Sequence, residues 1–255
     1  MTLVATSPVG TLPDLFGSAY LINLPDRTDR LKSARRQFAH VGWKLGAGGI
    51  QLLPALRFAD RAGFPTAGAR GCFHSHLECL RRADAEGRRN VLILEDDIAL
   101  SSSLPRLTPV VSSLLDSLEW DFVYFGHYAT GRIPDARSNT GADQVGFTVW
   151  RDEILGGHFY GVKGRLLPRL IAFLMEIADG PEGNRNTGPM PVDGAYNVFR
   201  RNNLDVQCVI VTPKLGWQMS SPSDIAPHVL DKLPLLRPIN TTLRNLKRAV
   251  TQWGS

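Results

Sequence analysis

The run Val91-Leu-Ile-Leu94, followed at once by Glu95, Asp96 and Asp97, constrains this chain more than any other stretch. Consecutive apolar residues, two of them β-branched, read as a strand of a parallel sheet covered on both faces. In open α/β sheets, ligands bind in the crevice beyond the carboxyl ends of the strands. Adjacent carboxylates at such an end repel one another unless a cation sits among them. The plainer reading is an acidic strand end that turns into solvent.

The surrounding pattern supports a sheet. A first strand is expected over 18–24. The helix after it starts at Thr28 or Asp29, carries Leu31, Ala34, Phe38 and Val41 on one face, and stops at Gly42. A short strand over 50–55 and a loop over 56–70 precede a helix over 71–86, with Cys72, His76, Cys79 and Ala83 on one face. Beyond the acidic strand come a helix over 104–118, a strand over 120–125, and a loop over 126–157 long enough to be a lid. A strand over 158–162, an amphipathic helix over 163–178, a polar loop over 179–191, a helix over 194–202 opened by Asp193 and a strand over 205–211 complete the order. Strands alternating with helices predict an α/β fold with a mostly parallel central sheet.

The 255 residues suffice for one such core with a tail. We expect a flexible leader over 1–17, one domain over 18–236, and a basic amphipathic helix over 237–255. In that last helix Arg244, Lys247 and Arg248 accompany Leu243, Leu246 and Val250, which suits either an anionic membrane surface or packing on the domain.

A formal charge of +5 suits acidic or phosphorylated ligands. Nucleic acid is not expected, because no zinc-finger spacing, ribonucleoprotein motif or aromatic–basic interleaving is present. Cys72, Cys79 and Cys208 are an odd set with no CxxC pair, which argues for reduced thiols. No secretory signal and no apolar run near the ~20 residues of a membrane span is evident, so the expected compartment is the cytoplasm, including the cytoplasmic face of a membrane.

Motifs recur in a telling order: Asn23-Leu-Pro-Asp-Arg27-Thr-Asp-Arg30, Gly71-Cys-Phe-His-Ser75-His76, Glu95-Asp-Asp97, Pro191-Val-Asp193, then Gln218 with Ser223-Asp224. Together they resemble glycosyltransferase family 25, the lipooligosaccharide glycosyltransferases and their collagen galactosyltransferase relatives. The resemblance covers roughly residues 18–225. It implies a GT-A-type, Rossmann-like fold, a nucleotide-sugar donor that is usually UDP-linked, and a divalent metal, Mn²⁺ or Mg²⁺. It further implies inverting transfer, with galactose the expected sugar, to a glycan or glycolipid acceptor such as a lipopolysaccharide core. Asp97 would hold the metal together with Glu95, and Asp96 would lie in the donor shell.

Inversion by single displacement requires a base on the acceptor hydroxyl, and Asp193 is the candidate. The other reading of Asp193 is an N-cap. Arg27 and Arg30 are candidates for donor phosphates, Arg27 the favoured one, since Arg30 also fits a solvated first helical turn. Asn23, at the strand end of the donor site, is placed to orient the loop or the base. Ser75 and His76 line the donor site or simply satisfy the core. Gln218, Ser221, Ser223 and Asp224 form a polar cluster that either closes over the donor or makes a surface turn. Two other functions remain open: a Mg²⁺-dependent phosphoryl-transfer or hydrolytic enzyme, and a non-catalytic nucleotide-sugar-binding module. No Walker A loop supports the former.

Overall fold

A computed structural model describes residues 10–87, 90–131 and 145–219. In chain order the first half forms β1 (Ser18–Asn23), α1 (Thr28–His40), β2 (Gln51–Pro54), α2 (Ala67–Ala85), β3 (Asn90–Glu95), β4 (Ile98–Leu100) and α3 (Leu104–Ser117). The second half adds β5 (Phe122–Ala129), β6 (Gly146–Val149), β7 (Ile154–Lys163), α4 (Leu167–Ala178), α5 (Val192–Asn202), β8 (Cys208–Thr212) and β9 (Gly216–Gln218).

Seven strands make one sheet in the order β2-β1-β3-β7-β5-β8-β6. β1 runs parallel to both β2 and β3, and β5 runs parallel to β8. β7 is antiparallel to β3 and β5, and β6 is antiparallel to β8. Most strands therefore point one way, as the strand–helix alternation implied, with β7 inserted against the grain. A separate ribbon of β4 and β9 stands at the end of β3.

The apolar run of β3 is explained by burial on both faces. Val91 and Ile93 join the core formed with α2, α4 and α5, while Leu92 and Leu94 join the core formed with α1 and α3. Strand side chains alternate between faces, so a strand sandwiched between helix layers must be apolar at every position.

Several boundaries differ from expectation. Thr66 caps α2 by accepting the Ala69 N–H at 2.9 Å, so the helix begins inside the stretch expected to be loop. Gly71 sits in the interior of α2 because a Cβ there would collide with the Leu56 carbonyl oxygen. Segment 126–157 is not one loop: β5 continues to Ala129, and β6 and the start of β7 lie within it. At the N-terminus, Leu12–Leu15 form a 3₁₀ turn, and Leu12 and Phe16 are buried in the core. Phe16 meets Trp120 and Phe125 edge-on. The folded domain thus begins before Ser18. The expected helix over 237–255 and the residues Ser221, Ser223 and Asp224 lie outside the described residues. Among the described residues, no helix is long and apolar enough to cross a membrane.

Candidate active site at the carboxyl end of β3

The side-chain alternation of β3 continues into its acidic end and divides it. Glu95 follows Val91 and Ile93 to the α2 face, where its Oε1 lies 3.2 Å from His76 Nε2. Asp96 emerges on the α1 face. There it accepts hydrogen bonds from Asn23 Nδ2 at 2.6 Å and from Arg30 Nη1 at 3.1 Å. Asp97 starts the turn into β4. Its carbonyl accepts the Met219 N–H at 2.6 Å, and its Oδ2 accepts from Gln218 Nε2 at 3.1 Å, so the β4–β9 ribbon holds it from both ends. Arg30 Nη1 also stands 3.8 Å from Asp97 Oδ2.

The three carboxyls have different electrostatics. Burial pushes Asp97 up to about 7, aided by the negative charges of Glu95 and Asp96 and opposed by Arg30. Burial also raises Asp96, against the pull of Arg30 and Asn23. Burial acts to raise Glu95 as well, but the hydrogen bond and charge of His76, with His158 and Arg30, outweigh it and leave the carboxyl below its usual range. The His76 ring is fully buried, and its Nδ1 lies 2.9 Å from the Tyr160 hydroxyl, which in turn lies 2.7 Å from the Tyr196 hydroxyl.

These groups open onto a cavity of about 300 Å³ lined by Arg30, His76, Glu95, Asp96, Asp97 and Gln218. Cys72, Arg57 and Phe58 complete the polar and aromatic part of the lining, and Ile22, Leu24, Ala55 and Leu56 contribute apolar wall. Arg70 stacks its guanidinium 4.0 Å from the Phe58 ring centre.

Of the residues expected at the site, some act one step back from the cavity. Asn23 is buried and joins Asp96 to the Arg27 carbonyl, so it orients the acid and the loop without lining the cavity. Of the two arginines, Arg30 lines the cavity and Arg27, the one favoured from the sequence, does not. Arg27 forms a two-pronged contact with exposed Asp29, 3.0 Å on each side, whereas Arg30, one turn along α1, points inward. Ser75 does not line the cavity: its hydroxyl donates to the Gly71 carbonyl at 2.7 Å and accepts the Leu56 N–H at 2.8 Å, with no exposure. It fastens the cavity wall to α2.

Asp193 is not the N-cap of α5, a position held by Pro191. It lies in the first turn, where its Oδ2 accepts the Gly156 N–H and its Oδ1 the Gly194 N–H, both at 2.9 Å. It does not line the cavity, yet its charge is felt at Cys72, which does. Cys72, Arg57 and Phe58 were not expected here. Cys72 was legible in part, because its i,i+4 spacing to His76 puts both on the α2 face that meets Glu95.

The donor set suits a divalent cation. Asp97 Oδ1 is buried and has no hydrogen-bond partner among the described residues, and Glu95 and Asp96 add negative charge around it. A hard dication takes carboxylate oxygens in this way.

The fold and cavity thus define an α/β protein with a polar, acidic ligand site at the strand ends. No protein-family model matches the chain. A curated human protein named inactive glycosyltransferase 25 family member 3 is 31% identical over 131 residues. The match takes in 44% of this chain and 22% of that protein, so the chain spans a small part of its relative's length. The family resemblance read from the motifs is therefore met by a relative named for that family. Among solved structures, the chain is similar to a glycosyltransferase involved in glycosylation of the major capsid of PBCV-1, at 11% identity and a TM-score of 0.47 over 80% of this chain and 93% of that one. It is also similar to a mannose-1-phosphate geranyltransferase from Thermus thermophilus, at 13% identity and a TM-score of 0.33 over 75% of this chain and 58% of that one.

Proposed function

We propose that this chain is a glycosyltransferase of GT-A type, similar to family 25, whose cavity binds a nucleotide-sugar donor, UDP-linked and carrying galactose. The observation that carries the reading is the acidic end of β3 opening onto a cavity beside Arg30, with one Asp97 oxygen buried and unpartnered among the described residues. Arg30 and Arg57 offer guanidinium groups suited to phosphate oxygens. Asp97 and Glu95 would hold a divalent cation, Mn²⁺ or Mg²⁺. That ion, when bound, neutralises the charge developing on the departing diphosphate. Asp96, tied to Asn23 and Arg30, fixes the edge of the donor site.

Asp193 would take the proton of the acceptor hydroxyl. Each of its oxygens holds one backbone N–H and keeps a further lone pair. The hydrogen bond from Gly156 ties it to β7. The acceptor class is a glycan or glycolipid such as a lipopolysaccharide core. Action at a membrane face would use the helix expected over 237–255, outside the described residues.

Calorimetric titration with UDP tests the donor site. Binding should need Mn²⁺ or Mg²⁺ and should weaken at least tenfold in Arg30→Ala and in Asp97→Asn. A lack of UDP binding at millimolar concentration, with or without metal, contradicts the reading. A second reading is a nucleotide-sugar-binding module without transfer, favoured by the name of the human relative. It is distinguished by tight metal-dependent UDP binding with no turnover of any UDP-sugar.

A further inference from the structure

The wall of the cavity opposite Asp96 holds a different set of groups. Cys72, His76 and Glu95 each offer one donor atom, and the three atoms lie within 4.8 Å of one another. Cys72 and His76 are one turn apart on α2, and Glu95 comes from the end of β3. Sulfur, imidazole nitrogen and carboxylate oxygen together form the ligand chemistry of borderline-soft divalent ions rather than of Mg²⁺.

Several features go beyond the cluster itself. With metal–ligand bonds of about 2.0–2.3 Å, the edges of a tetrahedral site span roughly 3.3–3.7 Å. The His76 Nε2 to Glu95 Oε1 distance of 3.2 Å is already near that edge. The second ring nitrogen of His76 meets Tyr160, and Tyr160 meets Tyr196, the outer hydrogen bonding that fixes a ligating imidazole. Gly157 lies alongside: a Cβ there would press on His76 Cε1 at 3.3 Å and stand 3.7 Å from Nε2 and Oε1, so the glycine keeps this side uncrowded. Cys72 lines the cavity, so the cluster can be reached from solvent. The Glu95, Asp193 and Asp97 carboxylates make the field at Cys72 negative, which favours a cation.

We propose that Cys72, His76 and Glu95 form a binding site for a borderline-soft divalent cation of the Zn²⁺ class, next to the carboxylate site at Asp97 and sharing Glu95 with it. The cation takes the thiolate sulfur, the imidazole Nε2 and a Glu95 oxygen. The thiol proton is released to solvent, and the Nε2 proton that faces Glu95 in the metal-free site is released or carried on Nδ1, which then donates to the Tyr160 hydroxyl. A fourth position faces the cavity. Glu95 stands between the two sites, so filling the Cys72 site draws on a carboxylate that the donor-side cation also uses. Zn²⁺ should therefore compete with the Mg²⁺- or Mn²⁺-supported activity.

The test is direct titration of the chelator-treated, full-length protein with Co²⁺. One equivalent should give an intense near-ultraviolet thiolate-to-cobalt band, bleached by one equivalent of Zn²⁺. The band should vanish in Cys72→Ser, weaken at least tenfold in apparent affinity in His76→Gln, and persist in Asp97→Asn. Alkylation of wild-type protein supplies a check that needs no variant. Cys79 and Cys208 are buried, so Cys72 is the most accessible thiol. Its modification is slow because burial and the nearby carboxylates raise the thiol, and Zn²⁺ should slow it at least tenfold further. No band and no protection at millimolar metal, or a band of equal strength in folded Cys72→Ser, overturns the proposal. The transfer reading fails independently, by absence of nucleotide-sugar turnover, because the cobalt band and the thiol protection are read without any turnover.

Discussion

The guanidinium of Arg30 donates to the Asp96 carboxylate at 3.1 Å, with 14% and 7% of the two side chains exposed. Asp96 also takes the Asn23 amide at 2.6 Å, so α1, β1 and β3 meet at one carboxylate. Removing one partner of a largely buried pair strands the other charge, at a cost of up to about 3–5 kcal/mol. Arg30→Ala should therefore lower the thermal midpoint by several degrees. Adding Asp96→Asn to it should restore much of the loss, because the stranded charge is gone. Equal melting of wild type and Arg30→Ala would show that the pair does not organise the site.

Ser75 is expected to matter for stability and not for donor contact. Its hydroxyl bridges the Leu56 N–H and the Gly71 carbonyl in a fully buried position. Ser75→Ala leaves the Leu56 N–H without that acceptor, for a loss of about 1–3 kcal/mol. Denaturant unfolding should report that loss, while the affinity for UDP at low temperature stays within about twofold. A large fall in affinity without loss of stability would return Ser75 to the donor site.

Asp193 gives a test that separates chemistry from scaffolding. Asp193→Asn keeps an oxygen for the Gly156 N–H but cannot take a proton. Transfer should drop about 10²–10⁴-fold, the usual worth of a general base, with the donor Kd unchanged. Steady-state transfer rates and a UDP titration on the same sample decide this. Full transfer by Asp193→Asn would leave the residue as an anchor of β7 to α5 alone.

Acid sensitivity should run through His127, whose Nε2 lies 3.2 Å from the Val211 carbonyl. Burial, with the nearby Lys214 charge, lowers this histidine to about 4 from its ordinary 6.5. Below about 6.5 the unfolded chain takes a proton that the folded chain refuses. Stability is thus whole above that value and is lost as the pH falls toward 4, by roughly 3 kcal/mol at the 1.36 kcal/mol per unit of linkage. His127→Gln should flatten the slope of stability between pH 4 and 6.5, measured by urea unfolding. An unchanged slope assigns the acid loss to other groups.

Long elements with a clear period were legible in the sequence. The apolar stripe of α4 and the continuous run of β3 both appear where their patterns put them, because burial on one face or on two leaves a distinct spacing. Short elements were not. β4 and β9 have three residues each and β6 has four, too few for any period to show, and they are set by pairing with distant strands. The reversed direction of β7 was likewise hidden, since its residues look alike in either orientation.

At the site, residue type singled out the acids at the end of β3, which do line a cavity, while direction did not follow from type. Arg27 and Arg30 look equivalent as letters. The helical turn aims one at Asp29 and the other at Asp96. Cys72 was read as one of four residues on a face of its helix, and the arrival of Glu95 at that face was not legible from the letters.

The proposed donor and metal site at the end of β3 is built around Asp97, and one measurement tests it most directly. That measurement is release of UDP across a panel of UDP-sugars, with and without Mn²⁺, by wild-type protein and by Asp97→Ala. The expected result is Mn²⁺-dependent release from at least one UDP-sugar, abolished in an Asp97→Ala protein that still melts cooperatively. Release that is the same in Asp97→Ala, or no metal-dependent release from any UDP-sugar, would contradict it.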